Sequence, residues 1–423
     1  MPVAKMLRSF PSITLSLTLI ACFANLAAAQ DNAQQARWFK GNLHTHSLWS
    51  DGDDFPEVIA AWYEERGYNF LALSDHNILS RGIRWMQLDT IVARADAGIL
   101  ERYRGKFGDA WVETREKDGK QQVRLKPLDE FRCLVEKAGQ FIMIQGEEIS
   151  GSASGAPIHM NVTNVQETIL PVNGSTARET MTNNLRQVME QQEKTGREML
   201  IHLNHPNFHY AVTAEDLGHV VEEQFYEVYN GHPGVNHQGD EDHIGIETMW
   251  DVANAIRLHL LASDPILGIA TDDSHEYHGK PGSRPGRGWV MVRSKYLTPE
   301  HLIKAMKRAD FYASSGVVLD DINYDSESKT LDIEIAAADG ATYTTEFIAT
   351  LDDAPSNDAL PESIGTVVAK KTGTNVSYTL TGNELYVRAR VTSSLAPVDP
   401  VWDDQKRQAW TQPVGWTTGE NSK

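Results

Sequence analysis

The residues able to do chemistry fall in short clusters, and the first is the densest. His44 and His46 flank Thr45 in Asn42-Leu43-His44-Thr45-His46, Ser50-Asp51-Gly52 follows, and Asp75-His76 closes the apolar run that begins at Asn69. In a strand, residues two apart project to the same side, so the imidazoles of His44 and His46 reach one point. Ser50-Asp51-Gly52 makes a turn that offers a carboxylate. Imidazole and carboxylate together suit Zn, Fe or Mn. Further along, the apolar run Phe141–Gln145 ends in Gly146-Glu147-Glu148-Ile149-Ser150, and His159 sits at the centre of Ile158–Val162. His202 and His205 have opposite parity, and Pro206 ends their strand, which makes His205 the inward residue. Asp273 and His275 repeat the two-residue spacing of the first pair. One histidine near a strand is usually a satisfied core or surface residue. Repetition of His, Asp or Glu at successive strand ends is what points to a metal centre.

The elements between these clusters must place them together. Pro56 to Gly67 has helical spacing, with Val58, Ile59, Trp62 and Tyr63 apolar and Gly67 as a stop. Helices are expected over Trp85–Leu100, Thr180–Gly196, Thr248–Leu261 and Pro299–Arg308. Strands are expected at Asn69–Ser74, Phe141–Gln145, Ile158–Val162, Met199–Leu203, Phe225–Tyr229, Ile266–Ala270 and Trp289–Arg293. Alternating strand and helix predicts a parallel α/β barrel, whose strand C-termini carry the site. The stretch at about 80–139 is too long for a simple connection. It holds a hairpin of Ala110–Arg115 with Gln121–Leu125, and either roofs the site or decorates the periphery. Arg81 and Arg84 at its base are anion contacts or a solvated face. From Leu319 the pattern turns to alternating strands and turns, an antiparallel β module over 319–415. The barrel then occupies 38–318.

Composition narrows the partners. The 423 residues carry a formal charge of −19, which argues against binding a nucleic-acid backbone. Hydrophobic and charged contents of 41% and 23% are ordinary for a globular protein. Lys5 and Arg8, the apolar run Ile13–Leu26 and Ala27-Ala28-Ala29 read as an export signal over 1–29, giving a periplasmic or secreted protein. Leu19-Ile20-Ala21-Cys22 is the alternative, a lipid anchor at Cys22. No later segment is apolar enough for a transmembrane span. Beyond the signal Cys133 is the lone cysteine, expected as buried filler rather than a nucleophile.

In order along the chain, His44-Thr-His46, Ser50-Asp51-Gly52, Ser74-Asp75-His76, Gly146-Glu-Glu148-Ile-Ser150 with His159, Asn204-His205-Pro206 and Asp273-Ser-His275 resemble the motifs of the PHP superfamily, named for polymerase and histidinol phosphatase. The resemblance covers roughly residues 40–315. The export signal, Met249-Trp250-Asp251, Phe311-Tyr-Ala-Ser-Ser-Gly316 and the β tail resemble the secreted CehA/McbA-type branch, which includes carbaryl hydrolases. What the resemblance implies is a distorted (β/α)7 TIM-like barrel with two or three divalent metals (Zn, Mn or Fe). By motif its ligands are His44, His46, Asp51, His76, Glu148, His159, His205, Asp273 and His275. Asp51 has a turn-capping role as its alternative, and Glu147 is the alternative to Glu148. Asp75 is expected to orient its neighbour. His232 and His278 serve substrate or proton transfer, or are loop histidines along with His243.

The chemistry expected of such a centre is hydrolysis by a water or hydroxide bridging two metals. No serine nucleophile is required, and neither Ser74 nor Ser274 lies in a G-x-S-x-G elbow. Arg284 and Arg287 in Gly282-Ser-Arg-Pro-Gly-Arg-Gly288 either neutralise an anionic substrate or decorate a loop. The leading reading is an exported metal-dependent phosphoesterase acting on a small-molecule ester. A carbamate or carboxyl-ester hydrolase is second, and a non-catalytic metal- and polymer-binding protein third. An arginine reaching the metals favours phosphate, and an apolar pocket lined by Trp85 or Trp111 favours an aryl ester.

Overall fold

In the computed structural model, Met1, residues 35–418 and residues 421–422 are described. The export signal expected over 1–29, and Cys22 within it, fall outside the described residues apart from Met1. Trp38–Lys423 form one compact unit, to which the following applies.

β1 (Arg37–Asn42) leads through the His44–Asp51 loop to α1 (Pro56–Glu64) and β2 (Phe70–Leu73). Pro56 opens α1 because its missing N–H would have no helical partner there. All of β2 is buried, as a strand covered on both faces must be. The insertion follows as β3 (Arg84–Gln87), α2 (Leu88–Arg94), α3 (Ile99–Phe107), β4 (Thr114–Lys117), β5 (Lys120–Leu125) and α4 (Leu128–Val135). The single helix expected over Trp85–Leu100 is therefore a strand and two short helices, interrupted at Ala95-Asp96-Ala97-Gly98. The expected hairpin is present as β4–β5, turning on Asp118 and Gly119, both at positive φ.

β6 (Ile142–Ala153) and β7 (Ala156–Thr163) come next, then α5 (Ala177–Thr195), β8 (Leu200–Leu203), α6 (Ala214–His219) and β9 (Phe225–Asn230). Thr176 caps α5 by accepting from the Glu179 amide, and Gly196 ends it in the left-handed conformation. α7 (Ile246–Ala255) runs on into a π-helical turn at Ile256–Leu260 before β10 (Leu267–Thr271), β11 (Trp289–Ser294), α8 (Pro299–Lys307) and β12 (Phe311–Ser314). The β-rich remainder is β13 (Leu319–Asp325), β14 (Thr330–Ile335), β15 (Tyr343–Leu351), β16 (Thr366–Thr372), β17 (Asn375–Thr379), β18 (Glu384–Ser393) and β19 (Gln408–Thr411).

One mixed sheet of 13 strands takes the order β10-β9-β8-β7-β6-β2-β1-β11-β12-β19-β18-β15-β16. β1–β2, β2–β6, β8–β9 and β9–β10 are parallel. The expectation of an all-parallel barrel is corrected in two respects. β6 and β7 form an antiparallel hairpin turning at Ser154-Gly155, which also makes β7–β8 antiparallel. Residues 151–153, beyond the strand expected at Phe141–Gln145, are also strand, because both arms find partners. Nor does the strand set close through a continuous ladder. Past the ends of β1 and β10 the chain segments meet in the parallel bridge Thr45–Ser274. The C-terminal strands extend the same sheet, β12 pairing β19 and β19 pairing β18.

Beneath the strand ends, Phe39, Phe70, Ile144, Leu200, Phe225, Ile269 and Val290 pack as one apolar cluster. Burying each large side chain contributes roughly 1.5–3 kcal/mol, so this floor fixes the strand ends above it. The insertion packs on the other side of the opening loop. Ile91, Ile99 and Tyr103 join Leu48, Trp49 and Phe55 in one cluster. Arg94 Nη1 donates to the Ser50 carbonyl at 2.5 Å, and Trp49 Nε1 to the Lys126 carbonyl at 3.1 Å. The insertion thus buttresses the loop that carries Asp51. Cys133 is exposed on α4, contrary to the expectation of buried filler. Among the described residues no helix is long and apolar enough to cross a membrane.

Candidate metal centre

The first candidate ligand pair is set by the end of β1. Asn42 Oδ1 accepts from the His44 amide at 2.9 Å, and the His46 amide donates to the Ser274 carbonyl at 2.9 Å. This bridge holds the segment extended, so His44 and His46 face the same side. Their Nε2 atoms stand 3.1 and 3.3 Å from Asp273 Oδ1, and 3.3 and 3.2 Å from Glu148 Oε2. Tetrahedral ligands at about 2.1 Å from a cation stand roughly 3.4 Å apart, so each of these pairs has ligand-to-ligand spacing, and His44, His46 and Asp273 form one group.

Asp51, His76 and His275 make a second group. Asp51 Oδ2 is 3.4 Å from His76 Nε2, and Asp51 Oδ1 is 3.5 Å from His275 Nε2. The His46 ring stacks on His275 with centroids 4.1 Å apart, joining the two groups. A third forms around the other oxygen of Glu148. Its Oε1 lies 2.9 Å from His159 Nδ1 and 3.8 Å from His205 Nε2, while Oε2 lies 3.1 Å from His76 Nδ1. Glu148 therefore touches every group. Asp51 is the outermost member, its side chain 51% exposed, whereas His44, His46 and Glu148 are fully buried.

Asp273 and His205 sit at φ +49 and +22. Such backbone costs on the order of 1–3 kcal/mol per residue and persists where the surroundings over-determine it. The Asp273 neighbour supplies that constraint. Asp272 accepts from the amides of Gly286, Arg287 and Gly288 and from the Tyr63 hydroxyl, all within 2.9 Å.

A layer of polar residues fixes how the ligands present themselves. Glu227 Oε1 takes the Nδ1 side of His44 at 2.7 Å, leaving Nε2 for a cation. The same carboxylate accepts from Thr271 Oγ1, the His205 amide and Asn230 Nδ2, so it is saturated and positions rather than ligates. Ser150 Oγ meets His76 Nδ1 at 2.5 Å, the Asp273 carbonyl meets His275 Nδ1 at 2.9 Å, and Asn204 Nδ2 donates to Glu148 Oε1 at 2.9 Å. Asp75 does not act on its neighbour His76 as expected. Its two oxygens accept from the Ser47 and Ser50 amides and hydroxyls, at 2.6 to 3.0 Å, and so shape the loop between His46 and Asp51.

Burial opposes charge on His44, His76, Glu148, Asp273 and His275, and mutual pairing overrides it. Against its desolvation, His76 is raised to about 9 by the carboxylates of Glu148 and Asp51, and His275 to about 9 by Asp51 and Asp273. His44 is also raised, despite burial, by Asp273, Glu227 and Glu148. Glu148 and Asp273, though buried, are held well below the usual carboxylate range by the surrounding imidazoles. A dication would take the place of those protons. His46 marks the fit: both its ring nitrogens are buried, and neither makes a hydrogen bond. Orphaned imidazole nitrogens within carboxylate reach suit a bound metal.

Other expected residues lie elsewhere. Arg284 pairs with Asp399. Arg287 Nε donates to the same carboxylate at 2.9 Å, and its Nη1 to the Gly231 and Gly282 carbonyls at 2.7 and 2.8 Å. Both guanidiniums thus hold the 282–288 loop. Arg81 donates to the Gln166 carbonyl, and Arg84 lies over the Trp49 ring. Trp85 lies under Arg115, and Trp111 donates to Glu57, so neither lines the expected aryl pocket. Ser74 and Ser274 are engaged in hydrogen bonds with Thr45, Asn161, Tyr63 and Tyr277. Glu147 accepts from the Ile169 amide, away from the cluster members.

His232 does stand beside the centre, its ring edge-on to His275 with centroids 6.0 Å apart. The Gly234 amide donates to its Nδ1 at 3.0 Å, which leaves the proton of the neutral ring on Nε2. His278 pairs with Asp54 at 3.2 Å, and His243 with Asp240 at 2.7 Å. Sequence reasoning missed Glu227 and set His202 aside in favour of His205, yet both group with His44 in the fully buried layer. The signal was a lone carboxylate inside the buried strand Phe-Tyr-Glu-Val-Tyr-Asn.

No family model matches the chain, and no curated protein matches it. Among solved structures, the chain is similar to a two-domain protein from Bacteroides vulgatus containing a predicted PHP-like metal-dependent phosphoesterase. That match has 14% identity and a TM-score of 0.38, over 89% of this chain and 95% of the other. PsfC from Pseudomonas syringae matches at 12% identity and a TM-score of 0.32, over 64% of this chain and 88% of the other.

Proposed function

We propose that the protein is a metal-dependent hydrolase of PHP type, exported to the periplasm or beyond, with a phosphate ester as its first substrate class. The observation that carries this reading is the triple grouping of His44, His46, Asp51, His76, Glu148, His159, His205, Asp273 and His275 around one shared carboxylate. A purely structural ion would need one closed set of ligands, not several adjoining partial ones. Divalent cations held there would acidify a water and polarise the scissile bond. The chain's own residues then divide the remaining work. Glu227, Ser150 and the Asp273 carbonyl keep the imidazoles aimed. Asp75 holds the loop of the outermost ligand. His232, neutral with its proton on Nε2, would donate a hydrogen bond to a substrate or leaving oxygen while keeping that proton. The strand set joined by the Thr45–Ser274 bridge is read as the distorted seven-stranded barrel of that fold.

A second reading, carbamate or carboxyl-ester hydrolysis, is favoured by one observation. The two loop arginines that would neutralise a phosphate are bound to Asp399 and to backbone carbonyls. Matched aryl phosphate monoester, diester, carbamate and carboxylate substrates separate the readings when assayed with the metal-loaded protein. Preference for a phosphate ester supports the first, and preference for the carbamate or carboxylate installs the second. Background rates on all four, with metals bound, would return the chain to a binding role.

A further inference from the structure

Away from the ligand cluster, a cavity of about 340 Å³ opens between β1, the end of α1, β11 and the 397–399 loop. It is small for a ligand pocket but within the ordinary range. Lys40, Arg66 and Arg407 line it together with Trp62, Tyr68 and Trp289. None of the metal-cluster residues does.

The Lys40 ammonium lies 3.9 Å from the ring centroids of both Tyr68 and Trp289. Burial lowers its affinity for a proton to a pKa of about 8, against the opposing pull of Asp272. No carboxylate pairs with it among the described residues. The same holds for Arg66, which stacks on Trp62 at 4.1 Å, and for Arg407, whose Nε donates to the Ala396 carbonyl at 3.0 Å. Asp399, the one carboxylate in the wall, is already bound by Arg284 and Arg287. Two further polar atoms stand buried without a partner, the Tyr68 hydroxyl and Trp289 Nε1. Tyr68 is only 2% exposed.

A buried donor left unmatched costs free energy, and a desolvated cation without a counter-charge costs more. Here an ammonium and two guanidiniums line one concave site, and the unpartnered Tyr68 hydroxyl and Trp289 Nε1 are buried within the side chains that form its wall. All can donate, and the wall leaves no carboxylate free to accept. In a chain of net charge −19, such a site selects for negative charge locally, against the general field. We propose that this cavity is a second ligand site, which binds the oxyanion group of a small molecule, a phosphate or a carboxylate, independently of the hydrolytic centre.

The test is calorimetric titration of the metal-loaded protein with inorganic phosphate and, separately, with succinate. At least one of the two should give a saturable event that Lys40→Met weakens by roughly tenfold or more, a difference of about 1.4 kcal/mol. Arg407→Gln, a change at the cavity wall, should weaken the same event. Neither variant should alter turnover at the metal centre. His46→Ala should spare this event while removing any binding of phosphate to the metals. Which anion binds distinguishes the phosphate source from the carboxylate one. In a selenate-soaked crystal, anomalous density should lie beside Lys40 whether or not Lys40→Met folds. An unchanged isotherm in both cavity variants, or a selenate map with no peak in the cavity, would overturn the site.

Discussion

Two regions of this molecule bury charge, and they do so in opposite ways. At the junction of α7 and the C-terminal strands, Arg388 is 1% exposed, and its Nε and Nη2 reach the two oxygens of Asp251 at 2.8 and 2.6 Å. The Tyr386 hydroxyl donates to the same carboxylate at 2.5 Å, and the Trp250 ring covers the guanidinium at 4.8 Å. Burial disfavours the charge on Arg388, and Asp251 more than restores it. The innermost residues of the candidate metal centre are as deeply buried, yet His46 and His202 keep ring nitrogens with no hydrogen bond. A network that satisfies itself belongs to the scaffold. One that leaves buried donor atoms bare is arranged for something the chain does not supply.

That contrast yields its largest effect in activity. His46→Ala and Asp273→Ala should each lower turnover by roughly a thousandfold or more, since each removes a proposed ligand of the most buried group. Circular dichroism of the metal-free variants should remain native. Arg388→Met should do the reverse, leaving turnover per folded molecule close to wild type while removing about 3–5 kcal/mol of stability in urea unfolding, because Asp251 is then buried and unpaired. If His46→Ala unfolds the metal-free protein as Arg388→Met does, the cluster is scaffold and the distinction fails.

Glu227 tests the same contrast at the next scale. Glu227→Gln keeps the size of a side chain that accepts from four donors but weakens its hold on His44 Nδ1. Metal affinity should fall by about 10- to 100-fold in a competition titration with a chelator, the usual loss when a ligand's orienting partner is changed. No change would mean that the carboxylate serves packing alone.

How much of this was readable in the sequence follows from what each feature depends on. His44, His46, Asp273 and His275 were legible because two-residue spacing at a strand end is a local property. Helix α5 was legible through Leu185 and Val188 on one face and Gly196 at its end. The β6–β7 hairpin was not, because Gly151, Ser152, Ala153 and Ser154 carry weak local preference and the strand is made by its partner. Glu227 escaped because its function is to hold His44, which lies 183 residues away in the chain. Arg284 and Arg287 were ambiguous for the same reason, since their partner Asp399 belongs to the β-rich region. Periodicity reports what a residue's neighbours impose, and long-range polar pairing leaves no such trace.

Glu223 lies between the two extremes and gives the smallest effect. It is fully buried, one oxygen accepts from the Phe225 amide at 3.2 Å, and the other has no partner. Burial raises its pKa to about 8, with Arg257 only partly opposing. The folded state therefore holds this proton above the pH at which the unfolded chain releases it. Its stabilising contribution is complete below the unfolded carboxyl pKa, near 4.5, and is lost as pH rises through about 8. Glu223→Gln keeps the shape without the titration. Relative to wild type, the variant should gain stability progressively between about pH 5 and pH 9, read from urea midpoints at matched metal loading. A flat difference across that window would mean that Glu223 finds a counter-charge when folded and belongs with Arg388 and Asp251. A rising difference would show that a buried group left half-satisfied can settle its deficit with a proton, where Asp251 settles its own with the Arg388 guanidinium.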